Sequence, residues 1–147
     1  MAEPQLLREG LAANLLGLNG GGGLEWQVSA YVLDNPTPPC VYIASGPVEY
    51  DKTMRRGHDD WRYTVYALVG YVSDIGAQQV LDTMLASAGP TSVKALVESD
   101  RTLGGAAYSL RVESNTGARV YTLAGPGQSP AVVGAEWTVF VMASGTT

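Results

Sequence analysis

The chain has 147 residues, 46% of them hydrophobic, with a net charge of −5 and a pI near 4.7. That length suits one domain burying roughly two-thirds of its unfolded surface, and the acidic balance argues against a nonspecific grip on nucleic acid or anionic membrane. No window approaches the roughly 20 apolar residues of a membrane span, the opening MAEPQLLREG lacks a signal peptide's basic-then-apolar pattern, and Cys40, the single cysteine, cannot form an intrachain disulfide, so a reducing cytoplasm is the expected setting.

In chain order, Pro4 to Leu18 reads as a helix. Leu7, Leu11, Leu15 and Leu18 make a stripe at helical spacing, widened by Leu6 and Asn14, and Pro4 suits the first turn. Gly17 and the run Gly20 to Gly23 end it in what should be a mobile surface loop, because consecutive glycines cost much backbone entropy to fix. Gln27 to Leu33 is a short strand. Asp34-Asn35-Pro36-Thr37-Pro38-Pro39 cannot continue a ladder, since proline lacks the donor. Cys40 to Ala44 resumes as a second strand, and Gly46-Pro47 ends its regular part.

Residues 48–60, VEYDKTMRRGHDD, then form a connection far longer than an ordinary hairpin loop. Lys52, Arg55 and Arg56 sit there among Asp51, Asp59 and Asp60. Trp61 to Val72 is the central strand: rich in β-branched and aromatic residues, without proline, and carrying Trp61, Tyr63, Val65, Ala67, Val69 and Tyr71 on one face. The opposite face begins polar with Arg62 and Thr64 and finishes apolar with Tyr66, Leu68 and Val72. One end of the strand should therefore be solvated on one side and the other end covered on both.

At Asp74 the period changes. Ala77, Val80, Leu81, Met84, Leu85 and Ala88 recur at helical spacing, Asp74 is the expected N-cap, and Gly89-Pro90 the stop. Thr91-Ser92 can cap a shorter helix on Val93, Leu96 and Val97. Ala107 to Ser114 alternates as a strand, with Tyr108, Leu110 and Val112 on one face. Asn115-Thr116-Gly117 reads as a hairpin turn into a strand of about Ala118 to Leu123. A Gly/Pro loop precedes the last strand, Val132 to Met142, which places Val133, Ala135, Trp137, Val139 and Val141 together. The whole is read as one α+β domain over 1–147. Its sheet is mainly antiparallel or mixed, of about five to six strands, packed by two to three helices. Flexible loops are expected near 19–25, 48–60 and 124–131, and a frayed tail from Ala143.

A catalytic set is hard to assemble from these residues. His58 is the single histidine, which excludes His-metal clusters and paired-His sites. Cys40 and His58 form a nucleophile-base pair on paper only, because Cys40 opens an apolar strand and His58 sits in a charged loop. Asp59-Asp60 with Glu49 and Asp51 offers hard oxygens, but matches no EF-hand spacing and shares its segment with three cations; a solvated, charge-balanced loop is the expectation. The glycine run lacks the lysine and hydroxyl of a phosphate-binding loop and follows no strand. Trp26, Trp61 and Trp137 on alternating strands read as core rather than as a stacking platform. No enzyme, cofactor or metal is expected.

Five blocks occur in order over nearly the whole chain: LLREGLAANL, SAYVLDNPTPPCVYI, DDWRYTVYALVGYVSDIGAQQVLDTMLASAGP, SVKALVESDRTLGGAAYSLRV and VVGAEWTVFVMA. Together they resemble the tail terminator, or tail completion, proteins of long-tailed bacteriophages; GGGGLEW fits less closely. The resemblance implies a structural virion protein of the tail or neck, assembled in the host cytoplasm. Such a protein forms a ring, commonly a hexamer, at the head-proximal end of the tail tube, stops tube polymerisation, and docks the head-tail connector or stopper. DNA would pass through the lumen without specific binding. Within that reading, Lys52, Met54, Arg55 and Arg56 are the expected subunit or partner contact, since a flexible apolar residue among charges suits an interface whose register is set electrostatically. The alternatives are another neck protein, a head-completion or connector-stopper subunit, and a small metal-dependent enzyme built on Asp59-Asp60.

Overall fold

The computed structural model describes residues 4–18, 26–32, 39–49, 59–71, 74–89, 92–103, 107–122 and 131–143. In chain order the elements are α1 (Pro4–Leu15), β1 (Gln27–Ser29), β2 (Cys40–Glu49), β3 (Asp59–Tyr71), α2 (Ile75–Leu85), α3 (Val93–Val97), β4 (Ser109–Asn115), β5 (Arg119–Thr122) and β6 (Ala131–Ala143). Among the described residues this is an α+β fold with a mixed, mostly antiparallel sheet of six strands and three helices. No described helix is long and apolar enough to cross a membrane.

The two longest strands, β3 and β6, pair antiparallel from Asp59↔Ala143 to Tyr71↔Val132. Their β-branched and aromatic residues alternate, so one face of the ladder is a continuous apolar surface. Tyr63, Val65, Ala67 and Val69 of β3 lie beside Val133, Ala135, Trp137, Val139 and Val141 of β6, all buried in one cluster. Near the C-terminal end of β3 the ladder slips by one residue between Leu68 and Gly70. There the two backbones approach so closely that a Cβ on Gly134 would run into the carbonyl oxygen of Ala67; only glycine leaves that space.

β2 pairs with the other side of β3, and β1 pairs parallel to β2 at the sheet's edge. Gly46-Pro47 does not end β2. It forms a bulge between Ser45 and Val48, after which pairing resumes to Glu49↔Asp60, consistent with proline's confinement to bulges and edges. The connection between β2 and β3 therefore shrinks to residues 50–58, outside the described residues, as are the expected loop 19–25 and all of the expected loop 124–131 except Ala131, which opens β6. The expected hairpin at Asn115-Thr116-Gly117 is not one. β4 and β5 both pair with β6, one at Trp137 to Met142 and the other at Ala131 to Gly134. They are two halves of one edge, and the intervening residues form a break at which Thr116 N–H donates to the Glu136 carbonyl at 3.0 Å.

All three helices pack on the apolar face. Leu7, Leu11, Leu15 and Leu18 of the first helical region, Ala77, Leu81 and Met84 of α2, and Val93 and Val97 of α3 join the sheet's core cluster. Asp74 caps α2, accepting from Ala77 N–H at 3.3 Å. That helix ends at Leu85 rather than Ala88, because Ala86 is already extended, with φ −65° and ψ 155°. Ser92 explains the early stop. Its buried hydroxyl donates to the freed Ala86 carbonyl at 2.5 Å and accepts from Ala95 N–H at 3.2 Å, closing one helix and capping the next. Asn14, which sequence spacing places in the apolar stripe, instead donates its amide to the Val97 and Asp100 carbonyls at 3.0 and 3.2 Å, satisfying the end of α3.

Two substitutions test this framework by urea unfolding. Ser92→Ala removes both roles of one hydroxyl and is expected to cost about 1–3 kcal/mol. Gly134→Ala forces the β3–β6 ladder apart at its slip and is expected to cost at least about 1–3 kcal/mol; a midpoint unchanged from wild type would contradict the close approach.

Candidate interaction face

Among the described residues, no helix covers the other face of the sheet. Strand alternation gives that face its composition: where the helix-covered side takes valine and alanine, this side takes arginine, glutamate, tyrosine and threonine over most of its length, and buries Cys40, Leu68 and Val132 at one end.

Its chemistry is laid out in rows across the strands. In one row Phe140 of β6 stands directly between Arg62 of β3 and Arg111 of β4. Both guanidinium groups lie over the phenyl ring, at 5.0 and 5.5 Å from its centroid. Arg62 also lies 3.4 Å from Glu113 and 3.8 Å from Glu49, at partly exposed sites where each pair is worth roughly 0–1 kcal/mol. Two rows along, Tyr42 and Tyr66 stack with centroids 5.0 Å apart and planes within 10°. Beside them the Tyr121 hydroxyl donates to the Glu136 carboxylate at 2.8 Å. Burial, followed by the Glu136 carboxylate that accepts this bond, pushes the Tyr121 hydroxyl well above its ordinary range. Burial first, and then the same carboxylate, raises Tyr66. These phenols stay protonated donors across the physiological range.

Where Arg111 meets the edge of the sheet, a groove of about 260 Å³ opens between Arg101, Ser109, Leu110, Arg111, Phe140 and Met142. Arg101 is held at its rim by Glu98. That carboxylate accepts from Lys94 Nζ at 2.7 and 2.8 Å, from Arg101 Nη2 at 3.2 Å and from the Val112 backbone N–H at 3.0 Å. The last bond covers a donor on the outer edge of β4, where an uncapped amide would invite another strand. Burial alone would raise the Glu98 carboxyl; its bonds from Lys94 and Val112, with the charges of Lys94 and Arg101, outweigh that and hold it below its ordinary value of 4.5.

Lys52, Met54, Arg55, Arg56, Asp51 and His58 lie outside the described residues. Asp59 and Asp60 are not in a solvated loop. They open β3, pair with Ala143 and with Glu49 and Met142, and are only 5% exposed. Cys40 is fully buried beside Leu68 and Val132, and desolvation pushes its thiol up to about 11; a protonated, enclosed thiol is a poor nucleophile. Trp26 and Trp137 are core and Trp61 packs against it. Among the described residues no group of three or more His, Cys, Asp or Glu side chains is placed to hold a metal ion. The Arg62–Phe140–Arg111 row was legible in principle from alternation within β4 and β6, but its assembly needs the strand order.

No family model matches the chain, and no curated protein matches it.

The Glu98 hub makes a pH prediction. A carboxyl whose folded pKa is depressed adds stability that is present above its unfolded pKa and lost as pH falls through the folded one. Glu98→Gln should therefore lower the unfolding midpoint at pH 7, and the gap from wild type should close as pH drops from about 5 to about 3. For Cys40, native protein at pH 8 should resist a thiol-specific reagent and react on unfolding; rapid native labelling would contradict its enclosure.

Proposed function

We propose that this chain is an assembly subunit: a tail terminator of a long-tailed phage, forming a ring of six copies at the head-proximal end of the tail tube. The observation that carries the reading is the in-order resemblance of five sequence blocks over nearly the whole chain. The distribution of chemistry on the fold supports it. Polar and aromatic side chains are spread over an open sheet face and its edge, where two arginines stacked on one phenylalanine and two stacked tyrosines make flat, low-entropy contact area of the kind protein interfaces favour. The cysteine that a nucleophilic mechanism would use is enclosed. On this reading the protein works by binding, without reaction or cofactor.

The ring would stop tube growth with one face and offer the other to the connector or stopper, with Lys52, Met54, Arg55 and Arg56 as a contact to a neighbouring subunit or the tube. A net charge of −5 suits a lumen through which DNA slides, because like charge disfavours sticking.

Co-purification separates this role from other neck roles. The tagged protein is expected to retain the tail tube protein; retention of the portal or connector alone would instead mark a head-completion or stopper subunit. Arg55→Glu/Arg56→Glu should leave the monomer folded and block tail joining, and normal tails from that variant would remove the assigned contact.

A further inference from the structure

The sheet's two lateral edges are chemically unlike, and each carries exposed apolar surface. At the β4 edge lies the groove between Arg101, Arg111, Phe140 and Met142. Its lining joins an aromatic ring and a thioether to two guanidinium groups. Arg111 makes no ion pair among the described residues, its guanidinium resting only on Phe140. At the opposite edge, where β1 is the outermost described strand, Tyr31 is 46% and Val32 60% exposed just after β1. The cation on that flank, Arg8, is turned onto the molecule itself: it lies 5.0 Å from the Tyr31 ring centroid and donates to Ser45 Oγ at 2.6 Å and to the Ala30 carbonyl at 3.4 Å. Glu9 stands beside it as an exposed carboxylate whose described partner is the neutral amide of Gln5.

We infer that the β4-edge groove of one copy receives the α1–β1 flank of a second copy, with the Glu9 carboxylate meeting Arg101 and Arg111 and the Tyr31–Val32 apolar surface covering Phe140 and Met142. A carboxylate on a guanidinium already stacked on an aromatic ring gains a charge-assisted bond while losing little side-chain freedom. The two surfaces differ and lie at opposite ends of one sheet, so the contact is heterologous. Each copy keeps one surface free, and repetition gives a ring if the rotation closes and a filament if it does not. The inference rests on the ring-forming reading above and supplies its subunit contact.

The test uses full-length protein and light scattering after size exclusion, with circular dichroism melts to confirm folding. Arg101→Glu/Arg111→Glu removes the groove's charge; Arg111→Glu alone, which leaves the Glu98 hub intact, covers the case where the double variant is destabilised. Glu9→Lys/Val32→Asp alters the other flank. Wild type is expected to form a discrete multimer and each variant to associate at least about tenfold more weakly. An equimolar mixture of a groove variant and a flank variant should form a dimer and stop there, since one intact contact remains and neither end can extend. Wild-type assembly by either variant, a mixture that stays monomeric, or a wild type monomeric at every concentration would each overturn the edge-to-edge contact. The tail-terminator reading fails separately, if these edges assemble as inferred and the multimer binds no tail tube protein.

Discussion

The antiparallel ladder between β3 and β6 is the constraint on which the rest of the molecule depends. Both strands are thirteen residues long and paired almost end to end. Every other strand but β1 hydrogen-bonds directly to one of them, and β1 reaches them through β2. The apolar side of the ladder creates one surface that must be covered, and each helix is short enough to need it. An isolated helix of twelve residues, such as α1, is marginal in water; its leucines become stabilising, at roughly 1.5–3 kcal/mol each, only once buried. The helices are thus consequences of the ladder. The hydroxyl of Ser92 and the amide of Asn14 then fix how they meet one another.

Covering one face completely leaves the chemistry on the other. Since side chains alternate, the residues between the core positions form a second surface in register with the first. Arg62, Phe140 and Arg111 stand in one row because Tyr63, Val139 and Val112, the adjoining row, are held in register on the buried side. The open face is therefore as rigidly placed as the core. A surface fixed by strands suits recognition by geometry, since little of the binding free energy is lost to ordering it.

Much of this was legible from periodicity. The central strand, the Asp74-capped helix and the alternation of β6 all follow from side-chain spacing, and the order of elements follows with them. What escaped was pairing. Asn115-Thr116-Gly117 has the composition of a hairpin turn, yet composition is equally that of a break in a strand, and only β6 lying alongside decides between them. Gly46-Pro47 is the same ambiguity in β2. Asp59 and Asp60 read as loop because two adjacent carboxylates seldom enter a sheet; the long partners on both sides of β3 draw them in. Asn14 misled because helical spacing reports which side of a helix a residue occupies, and says nothing of whether the neighbour there is a side chain or the carbonyl end of another helix.

The edges carry the last consequence. An open sheet exposes unpaired backbone at both sides and must either shield it or use it. β1 limits its edge by being three residues long. β4 and β5 limit theirs by the break at residues 116–118 and by Glu98, whose carboxylate takes the Val112 amide. Plain strand addition is thus discouraged at both sides, which selects against open-ended aggregation through the backbone. Association at those edges must then be carried by side chains, and the side chains present are an arginine-aromatic groove on one edge and a carboxylate-bearing apolar flank on the other. Side-chain contacts of that kind set one orientation, whereas backbone pairing tolerates several registers. Under the ring-forming role proposed above, closure at a fixed number needs the first and is harmed by the second.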